Sequence, residues 1–166
     1  MSRHNSSKNH GYSAVVKTSL PSLSAIGLHI IDERLTGIVL LPEALNPCGL
    51  DKEIPRQFVT WLDQYHLAPC NGLPDIELSM TGTPFQQRVW RALQGIDCGE
   101  RVTYGQLASQ LGSGARAVAA ACRANPLPLV VPCHRVVSAT GIGGYMGKTE
   151  GWAIDIKRGL LEHESH

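Results

Sequence analysis

The hydrophobic pattern of the first third of the chain is typical of short β-strands. Residues 14–41 carry two apolar runs, AVVKTSL and GLHIIDERLTGIVLLP, and the polar triplet 32–34 predicts a hairpin turn within the second run. Three prolines and a glycine in residues 42–55 predict a loop. Residues 55–67 predict a helix with Phe58, Leu62 and Tyr65 on one face. Residues 75–80, DIELSM, are compatible with a further short strand, and the polar residues 1–13 are expected to form a flexible arm.

Amphipathic helices begin at residue 83, and we therefore place a domain boundary between residues 80 and 83. Thr83 is expected to cap a helix that has Pro84 in its first position. The buried stripe of this helix is predicted to consist of Phe85, Val89, Trp90 and Leu93.

Two short helices come next, in the pattern of a helix-turn-helix. The first is expected over residues 104–111, between a Thr103 cap and Gly112. The second starts at Ser113 or Gly114 and ends at Asn125-Pro126.

The second helix, ARAVAAACRA, carries almost no long side chains apart from Arg116 and Arg123. Seven residues separate these arginines, which is about two turns, so they share one face. Alanines favour helices and close packing, but a slim helix with two arginines can also enter a DNA groove. The pattern alone leaves both interpretations open.

Composition indicates a globular protein of one or two small domains. The chain has 166 residues, of which 43% are apolar and 17% charged. No apolar run reaches 18 residues, which excludes an ordinary transmembrane helix. The N-terminus has no apolar segment and is not expected to be a secretory signal. The five cysteines form no disulfide framework and predict free thiols in a reducing, intracellular compartment.

Positive charge is concentrated in the second half, although the net charge is only +1. Residues 83–166 carry nine Lys and Arg against six Asp and Glu, whereas residues 1–82 carry six against eight. Five cations and no carboxylate lie between residues 101 and 149, namely Arg101, Arg116, Arg123, Arg135 and Lys148. This stretch can meet an anion, or it can be a mildly basic surface.

The segment LPLVVPCHRVV at residues 127–137 carries the candidate chemistry. Cys133 and His134 interrupt an apolar, strand-like run, and Arg135 follows them. A histidine and an arginine beside a thiol favour its ionisation, and the thiolate is a strong nucleophile. Neighbours on a strand point to opposite faces, so a water or a local turn would have to couple the two side chains. A buried structural cysteine beside a solvent-facing histidine would give the same pattern.

The other cysteines offer weaker chemistry. Cys122 is assigned to helix packing, and Cys48, Cys70 and Cys98 lie in loops without a nearby base. Cys and His residues show no matching pairs with zinc-ligand spacing, so no metal and no cofactor are predicted.

Several separated motifs make the chain resemble the O6-alkylguanine-DNA alkyltransferases, also called methylated-DNA–protein-cysteine methyltransferases. PCHRV at residues 132–136 is preceded by Asn125, eight residues before Cys133. FQQRVW, TYGQLA and GARAV precede this motif, and GGY and LLEHE follow it. The motifs run in order through residues 83–164, whereas the N-terminal half matches only in general character.

The resemblance implies a catalytic role for four residues. Cys133 would accept the alkyl group, His134 would activate it through a water, and Glu164 would orient His134, in the logic of a thiol-based triad. Asn125 would tie the turn between the recognition helix and an active-site strand. Because the S-alkyl product is inert, one protein molecule would repair one lesion.

The resemblance also implies how DNA is bound. The target nucleotide must leave the base stack, since its O6 atom is out of reach within the duplex. Tyr104 would press on the target phosphate, and Arg116 would fill the space that guanine leaves. Further implied DNA contacts are Gln106, Ala117, Arg123 and Arg135. The implied base pocket contains Tyr145, Met146, Val136 and Lys157, with the carbonyl groups of Cys133 and Val136 accepting from the guanine amino group.

Two departures from the family pattern have consequences. Met146 stands where relatives usually carry a small residue, and it is expected to narrow the pocket against bulky alkyl groups. The zinc-binding cysteines and histidines of some relatives are absent, because Cys48 and Cys70 fall in other places, so no zinc is predicted.

The implied fold is α/β, of the α+β type. A small ribonuclease H-like domain at residues 1–80 would support a helical, winged-helix-like domain at residues 83–166 that carries the helix-turn-helix and the active site. The implied partner is double-stranded DNA containing O6-alkylguanine, with O4-alkylthymine as an open second substrate. The protein is expected to be a monomer without membrane association, in the cytoplasm or, in a eukaryote, the nucleus.

Three other functions remain open at this point. An alkyltransferase-like protein would bind the lesion without transfer, but such relatives lack the cysteine that is present here as Cys133. A winged-helix transcription regulator would bind one operator and tolerate Cys133→Ser. A cysteine hydrolase would turn over acyl substrates and would need an oxyanion hole, for which the sequence offers no obvious candidate.

Overall fold

The computed structural model describes residues 11–166 as a mixed α/β arrangement of two small sheets and five α-helices. The strands are β1 (Ala14–Lys17), β2 (Ala25–Ile31), β3 (Arg34–Leu41), β4 (Val102–Thr103) and β5 (Val136–Val137). The helices are α1 (Glu53–Leu67), α2 (Pro84–Gln94), α3 (Tyr104–Leu111), α4 (Ala115–Arg123) and α5 (Trp152–His163). Within this range, every helix is too short or too polar to span a bilayer.

Strands β1, β2 and β3 form an antiparallel sheet in chain order. The turn between β2 and β3 consists of Asp32 and Glu33, with φ values of 48° and 57°. Two successive left-handed residues make the type of two-residue turn that matches the twist of a hairpin. The predicted hairpin is therefore confirmed.

The helix predicted over residues 55–67 is confirmed and begins two residues earlier, at Glu53. Its buried face includes Phe58, Leu62 and Tyr65, as the spacing predicts. Residues 75–80, in contrast, form no strand, because only a single bridge joins Leu78 to Leu35 at the beginning of β3.

The capping signals in the second half are confirmed. Thr83 and Thr103 each accept a hydrogen bond from the backbone three residues later, and the glutamine at that position bonds back to the cap. Gly112 ends α3 in the left-handed conformation, with φ of 62°. Gly114 precedes α4, which completes the helix-turn-helix pair.

The strand expected across residues 127–137 is largely wrong. Leu129 has φ of +73°, which breaks an extended run, and Cys133–Arg135 form one 3₁₀ turn. Only β5 remains extended, and it pairs in parallel with β4. Two prolines, Pro128 and Pro132, remove backbone donors from this segment and disfavour a continuous ladder.

Two of the five cysteines are paired, which corrects the prediction that all are free. Cys70 follows α1 and Cys98 follows α2, and a disulfide joins them with a Cα–Cα distance of 5.3 Å. Cys48, Cys122 and Cys133 are free. Sequence spacing gave no signal, because the two cysteines are separated by 28 residues and meet only in the folded chain.

Contacts join the halves on either side of the predicted boundary. Ile38 in β3 donates its backbone N–H to the carbonyl of Pro126, at 2.9 Å. Pro21 packs closely against Gly159 of α5, and a Cβ added to Gly159 would lie 2.5 Å from the Cβ of Pro21. Residues 1–10 of the predicted arm lie outside the described residues. Ser13, at the end of that arm, is hydrogen-bonded to β2 through Leu28 and Ile30.

Candidate active site

Asn125 shapes the segment that presents the candidate nucleophile. Its side-chain NH2 donates to the carbonyl of Val131 at 2.7 Å, and its oxygen accepts from the N–H of Leu127 at 3.0 Å. These two bonds close a turn between the end of α4 and the 3₁₀ turn of Cys133–Arg135. Asn125 thus ties this turn together, and the element that follows is a 3₁₀ turn where a strand is expected from the sequence.

Cys133 lies in the wall of a cavity and is only 6% exposed. Burial raises the pKa of its thiol, while the Asn125 side chain, the Lys157 charge and the Tyr145 hydroxyl oppose this rise. The resting thiol is therefore protonated, and it needs a base before it can act as a nucleophile. The same environment offers polar groups that favour the thiolate once it forms.

His134 is fully buried and is paired with Glu164. Its Nε2 lies 2.8 Å from Oε1 of Glu164. Burial lowers the pKa of His134, against the opposing effect of Glu164, so the ring is neutral at rest. Because a carboxylate only accepts, Nε2 carries the hydrogen and Nδ1 keeps its lone pair. Nδ1 is buried and has no hydrogen-bond partner among the described residues, which makes it a free basic site.

Glu164 receives hydrogen bonds from three residues. Besides His134, Arg135 donates through Nε to Oε2 at 2.9 Å and through Nη2 to Oε1 at 3.0 Å. Tyr65, on α1, donates its hydroxyl to Oε1 at 2.7 Å. Burial alone would raise the pKa of Glu164, but these donors outweigh it and hold the pKa well below its usual range. We call these four residues the Glu164 network.

Arg135 departs from its predicted place among the DNA contacts. Its guanidinium group is bound to Glu164, and Nη1 donates to the carbonyl of Ile96 at 2.6 Å. The side chain is only 12% exposed. A guanidinium that is bound to Glu164 and to the Ile96 carbonyl is not free for a phosphate, so Arg135 is removed from the predicted DNA contacts.

Lys157 is buried beside the cavity. Its Nζ donates to the carbonyls of Val136 at 2.6 Å and Gly144 at 2.9 Å, and it lies 5.7 Å from the centre of the Tyr104 ring. Burial lowers its pKa to about 8, although the nearby thiols of Cys133 and Cys122 oppose this shift. Lys157 thus loses its positive charge at a pH not far above neutral, and this charge acts on the Cys133 thiol.

The cavity has a volume of about 400 Å³, within the range of small-molecule sites. Cys133 lies in its wall, together with Tyr145, whose buried hydroxyl favours the ionised form of the Cys133 thiol. Tyr104 also lines the cavity, and burial raises its pKa to about 12. Ala119 and Ala120 of α4 form an opposing wall of small side chains.

The cavity is surrounded by positive charge. Arg116, Arg123 and Lys148 all line it, and all three are exposed. Of the five cations between residues 101 and 149, the other two point elsewhere: Arg135 to Glu164, and Arg101 to Ser165. Three of the five cations in this stretch of the sequence thus cluster around one opening.

Met146 and Gly147 form a tight turn in the cavity wall. The backbones of Tyr145 and Lys148 bond to each other on either side of it, at 2.9 and 2.8 Å. Met146 has φ of 52° and Gly147 has φ of 74°, so Met146 adopts a conformation that disfavours a side chain. Its side chain lines the cavity, as the sequence predicts.

The remaining predicted residues lie near this opening with defined neighbours. Gln106 and Ala117 are exposed, and the Gln106 oxygen accepts from the N–H of Thr103 in the cap of α3. The carbonyl of Val136 accepts from Lys157, and the carbonyl of Cys133 accepts from the Val136 N–H. Each of these two carbonyls keeps a second lone pair for a further donor.

Sequence reasoning missed Tyr65 as a site residue. Helical spacing places Tyr65 on the buried face of a helix, and the structure confirms that face. Its hydroxyl also bonds to Glu164, which is 99 residues away in sequence. A hydroxyl on an otherwise apolar stripe was the only available signal, because a buried Tyr O–H usually finds a partner. The identity of that partner depends on tertiary packing.

Comparison with known proteins gives consistent results. Residues 84–166 match the model of the family described as 6-O-methylguanine DNA methyltransferase, DNA binding domain. The chain is 44% identical over 126 residues to the methylated-DNA–protein-cysteine methyltransferase of Salmonella typhimurium, covering 74% of this chain and 66% of that protein. It is 40% identical over 150 residues to the protein of the same name from Mycolicibacterium paratuberculosis, covering 85% and 88%.

Among solved structures, the fold is similar to the crystal structure of Mycobacterium tuberculosis OGT in complex with DNA. The TM-score is 0.72 at 34% sequence identity, and the match covers 91% of each chain. That protein is crystallised with DNA, and the match extends over both halves of the present chain.

Proposed function

The chain belongs to the family of 6-O-methylguanine DNA methyltransferases, and we propose that it repairs O6-alkylguanine in duplex DNA by transferring the alkyl group to Cys133. One observation assigns the proposed reaction to a particular residue. The buried thiol of Cys133 lines a cavity ringed by cations, and a neutral, buried histidine paired with a carboxylate lies beside it in sequence.

The proposed chemistry is a displacement at carbon. The Cys133 proton passes through a water to Nδ1 of His134, and the resulting imidazolium is stabilised by Glu164. The thiolate attacks the alkyl carbon, the S–C bond forms, and the C–O6 bond breaks with its electron pair going to guanine. Guanine regains one proton, which balances the proton taken from the thiol. The thioether product is inert, so each chain reacts once.

We further propose that the base reaches the thiol by leaving the stack. The cavity opens beside α4, whose small side chains let the helix approach the groove closely. Arg116 at the rim would occupy the vacated position, and Tyr104 would press on the target phosphate. Tyr145, Val136, Met146 and Lys157 would surround the base. Gln106, Ala117 and Arg123 would contact the backbone, independent of sequence.

The finer description of the molecule is proposed on the same basis. The three-stranded antiparallel sheet with α1 is compatible with a ribonuclease H-like supporting domain at residues 1–80. The helix-turn-helix of α3 and α4 is compatible with a winged-helix-like domain at residues 83–166. A monomer that acts on chromosomal DNA would work in the cytoplasm or, in a eukaryote, the nucleus.

Mass spectrometry of the intact protein tests the main proposal. The protein is mixed with a duplex that contains O6-methylguanine, and we expect a gain of one methyl group per chain, located in the Cys133 peptide. Cys133→Ser should gain nothing, whereas Cys122→Ser, at the other free cysteine that lines the cavity, should still be methylated. Tighter binding of the lesion duplex without mass gain would contradict transfer and identify a lesion-binding protein.

A further inference from the structure

We infer that Tyr65 is a positioning residue for alkyl transfer, supplied by the N-terminal half of the chain to the His134–Glu164 pair. This inference rests on the proposed function for its effect on rate. It gives the first half of the molecule a part in the chemistry, beyond mechanical support.

The geometry of the contact is specific. The Tyr65 hydroxyl lies 2.7 Å from Oε1 of Glu164, the same oxygen that accepts from Nε2 of His134. Both partners are buried, Tyr65 to 3% exposure and Glu164 to 4%. Burial, followed by the charge of Glu164, raises the pKa of Tyr65 well above its usual value, so the hydroxyl always donates.

Tyr65 is itself held firmly in place. Its ring stacks on Trp61, with centroids 5.4 Å apart, and packs at 5.5 Å against the ring of His163. Nε2 of His163 also donates to the backbone carbonyl of Tyr65, at 2.9 Å. Helix α1 therefore holds the hydroxyl in one orientation toward Glu164, which sits at the end of α5.

The position of Tyr65 affects the proton acceptor through the shared oxygen. Oε1 of Glu164 receives donors from His134, Arg135 and Tyr65, and each donor spreads its negative charge. Without the Tyr65 hydroxyl, more of that charge faces His134, which raises the pKa of His134. The carboxylate also loses one of the contacts that fix its orientation toward the imidazole.

The charged groups around His134 come from each element packed against it. Glu164 and Lys157 face it from α5, Arg135 and Cys133 belong to its own turn, and Tyr65 reaches the shared carboxylate from α1. Of these groups, only Tyr65 can lose its hydrogen-bonding atom without a change in charge or shape, by replacement with phenylalanine.

The decisive experiment compares Tyr65→Phe with the wild type by two readouts. The first is the single-turnover rate of methyl transfer from the lesion duplex between pH 5 and 9. The second is the titration of the His134 imidazole by nitrogen NMR without DNA, with His134→Asn to identify the signal. Tyr65→Phe should slow transfer about 10-fold near neutral pH, since a hydrogen bond to a charged group is lost. It should also move the acid limb of the rate profile and the His134 titration to higher pH.

Thr60→Val is the matched control. It removes a side-chain hydrogen bond from the same helix, from Oγ1 to the Arg56 carbonyl at 3.0 Å, at an exposed position. It should leave both pH profiles unchanged. In a Glu164→Gln background, Tyr65→Phe should have no further effect on the acid limb.

The outcomes separate this inference from the proposed function. If the wild type transfers methyl and Tyr65→Phe matches it in rate and in His134 titration, or shifts only as Thr60→Val does, the inference is overturned. If the wild type transfers nothing, the proposed function fails, and the NMR titration alone decides whether Tyr65 acts on His134.

Discussion

Arg135 and Glu164 form a two-point ion pair at the back of the candidate active site. Nε of Arg135 lies 2.9 Å from Oε2 of Glu164, and Nη2 lies 3.0 Å from Oε1. The carboxylate side chain is 1% exposed and the arginine side chain 12%. This pair explains why an arginine that follows the Cys-His dipeptide serves the carboxylate and not DNA.

Removing one side of this pair should be costly. Arg135→Ala leaves Glu164 buried without its counter-charge, and breaking such pairs costs roughly 3–5 kcal/mol. We expect a loss of that order in urea unfolding, with a slower methyl transfer in the fraction that folds. Arg158→Ala, which breaks the exposed pair with Asp155, should cost less than about 1 kcal/mol. Equal losses in the two variants would contradict the assignment.

Stability should fall in acid because of Glu164. Its pKa is lower in the folded chain than the unfolded value of about 4.3. A depressed carboxyl pKa gives stability that is present above the unfolded value and is lost as pH falls below it. The slope of unfolding free energy against pH below about pH 5 should therefore be smaller in Glu164→Gln. Glu162→Gln, at an exposed position of α5, should keep the wild-type slope.

The transfer rate should decline at alkaline pH as Lys157 loses its proton. The folded pKa of Lys157 is about 8, and its positive charge lowers the pKa of Cys133. Above that pH the charge is lost and the thiolate is less favoured. Single-turnover rates should show an alkaline limb near pH 8, which Lys157→Met abolishes together with much of the activity. Lys148→Met, at the exposed rim of the same cavity, serves as the control and should retain the limb.

Met146 should limit the size of the alkyl group. Its side chain lines the cavity and its φ of 52° favours glycine. Met146→Gly should raise the rate with O6-benzylguanine relative to O6-methylguanine, measured as a ratio of single-turnover rates. An unchanged ratio would mean that this side chain does not face the alkyl group. Gly147→Ala makes the opposite change, because it adds a side chain next to Met146 instead of removing one. The added Cβ would lie 3.0 Å from Nε of Arg123, at a φ of +74° that favours glycine.

Arg116 should contribute its positive charge to DNA binding, in addition to filling the position that the base leaves. It is exposed at the cavity rim, beside Arg123 and Lys148. Arg116→Ala should weaken binding to the lesion duplex and reduce the slope of log K against log salt by about 1. Arg101→Ala, whose side chain contacts Ser165, should leave the slope nearly unchanged. Equal slopes for all three proteins would exclude an ionic role for Arg116.

The disulfide should stabilise the fold without taking part in transfer. Cys70 and Cys98 enclose a loop with a sequence separation of 28, for which loop-closure entropy predicts about 3 kcal/mol or slightly more. Cys98→Ser should lower the unfolding free energy by about that amount, and a thiol reductant should then have no added effect. Cys48→Ser, at a free cysteine, should change neither stability nor methyl uptake.

Local signals in the sequence determined many of the elements and indicated the candidate nucleophile. The hairpin turn at residues 32–33, the capping boxes of Thr83 and Thr103, and the helix end at Gly112 depend on neighbouring residues alone, so their patterns are legible in the sequence. The motif around Cys133, together with the other motifs that precede and follow it in order, likewise sufficed to indicate the family.

Tertiary packing decided what those residues do together. The partners of Glu164 come from two distant places in the chain, residue 65 and residues 134–135, and only the folded chain brings Arg135 and Tyr65 to it. The disulfide between Cys70 and Cys98 was missed for the same reason, because its partners are distant in sequence. Burial is a property of the assembled fold: it keeps the thiol protonated, the imidazole neutral and the carboxylate dependent on its donors, and no local pattern records it.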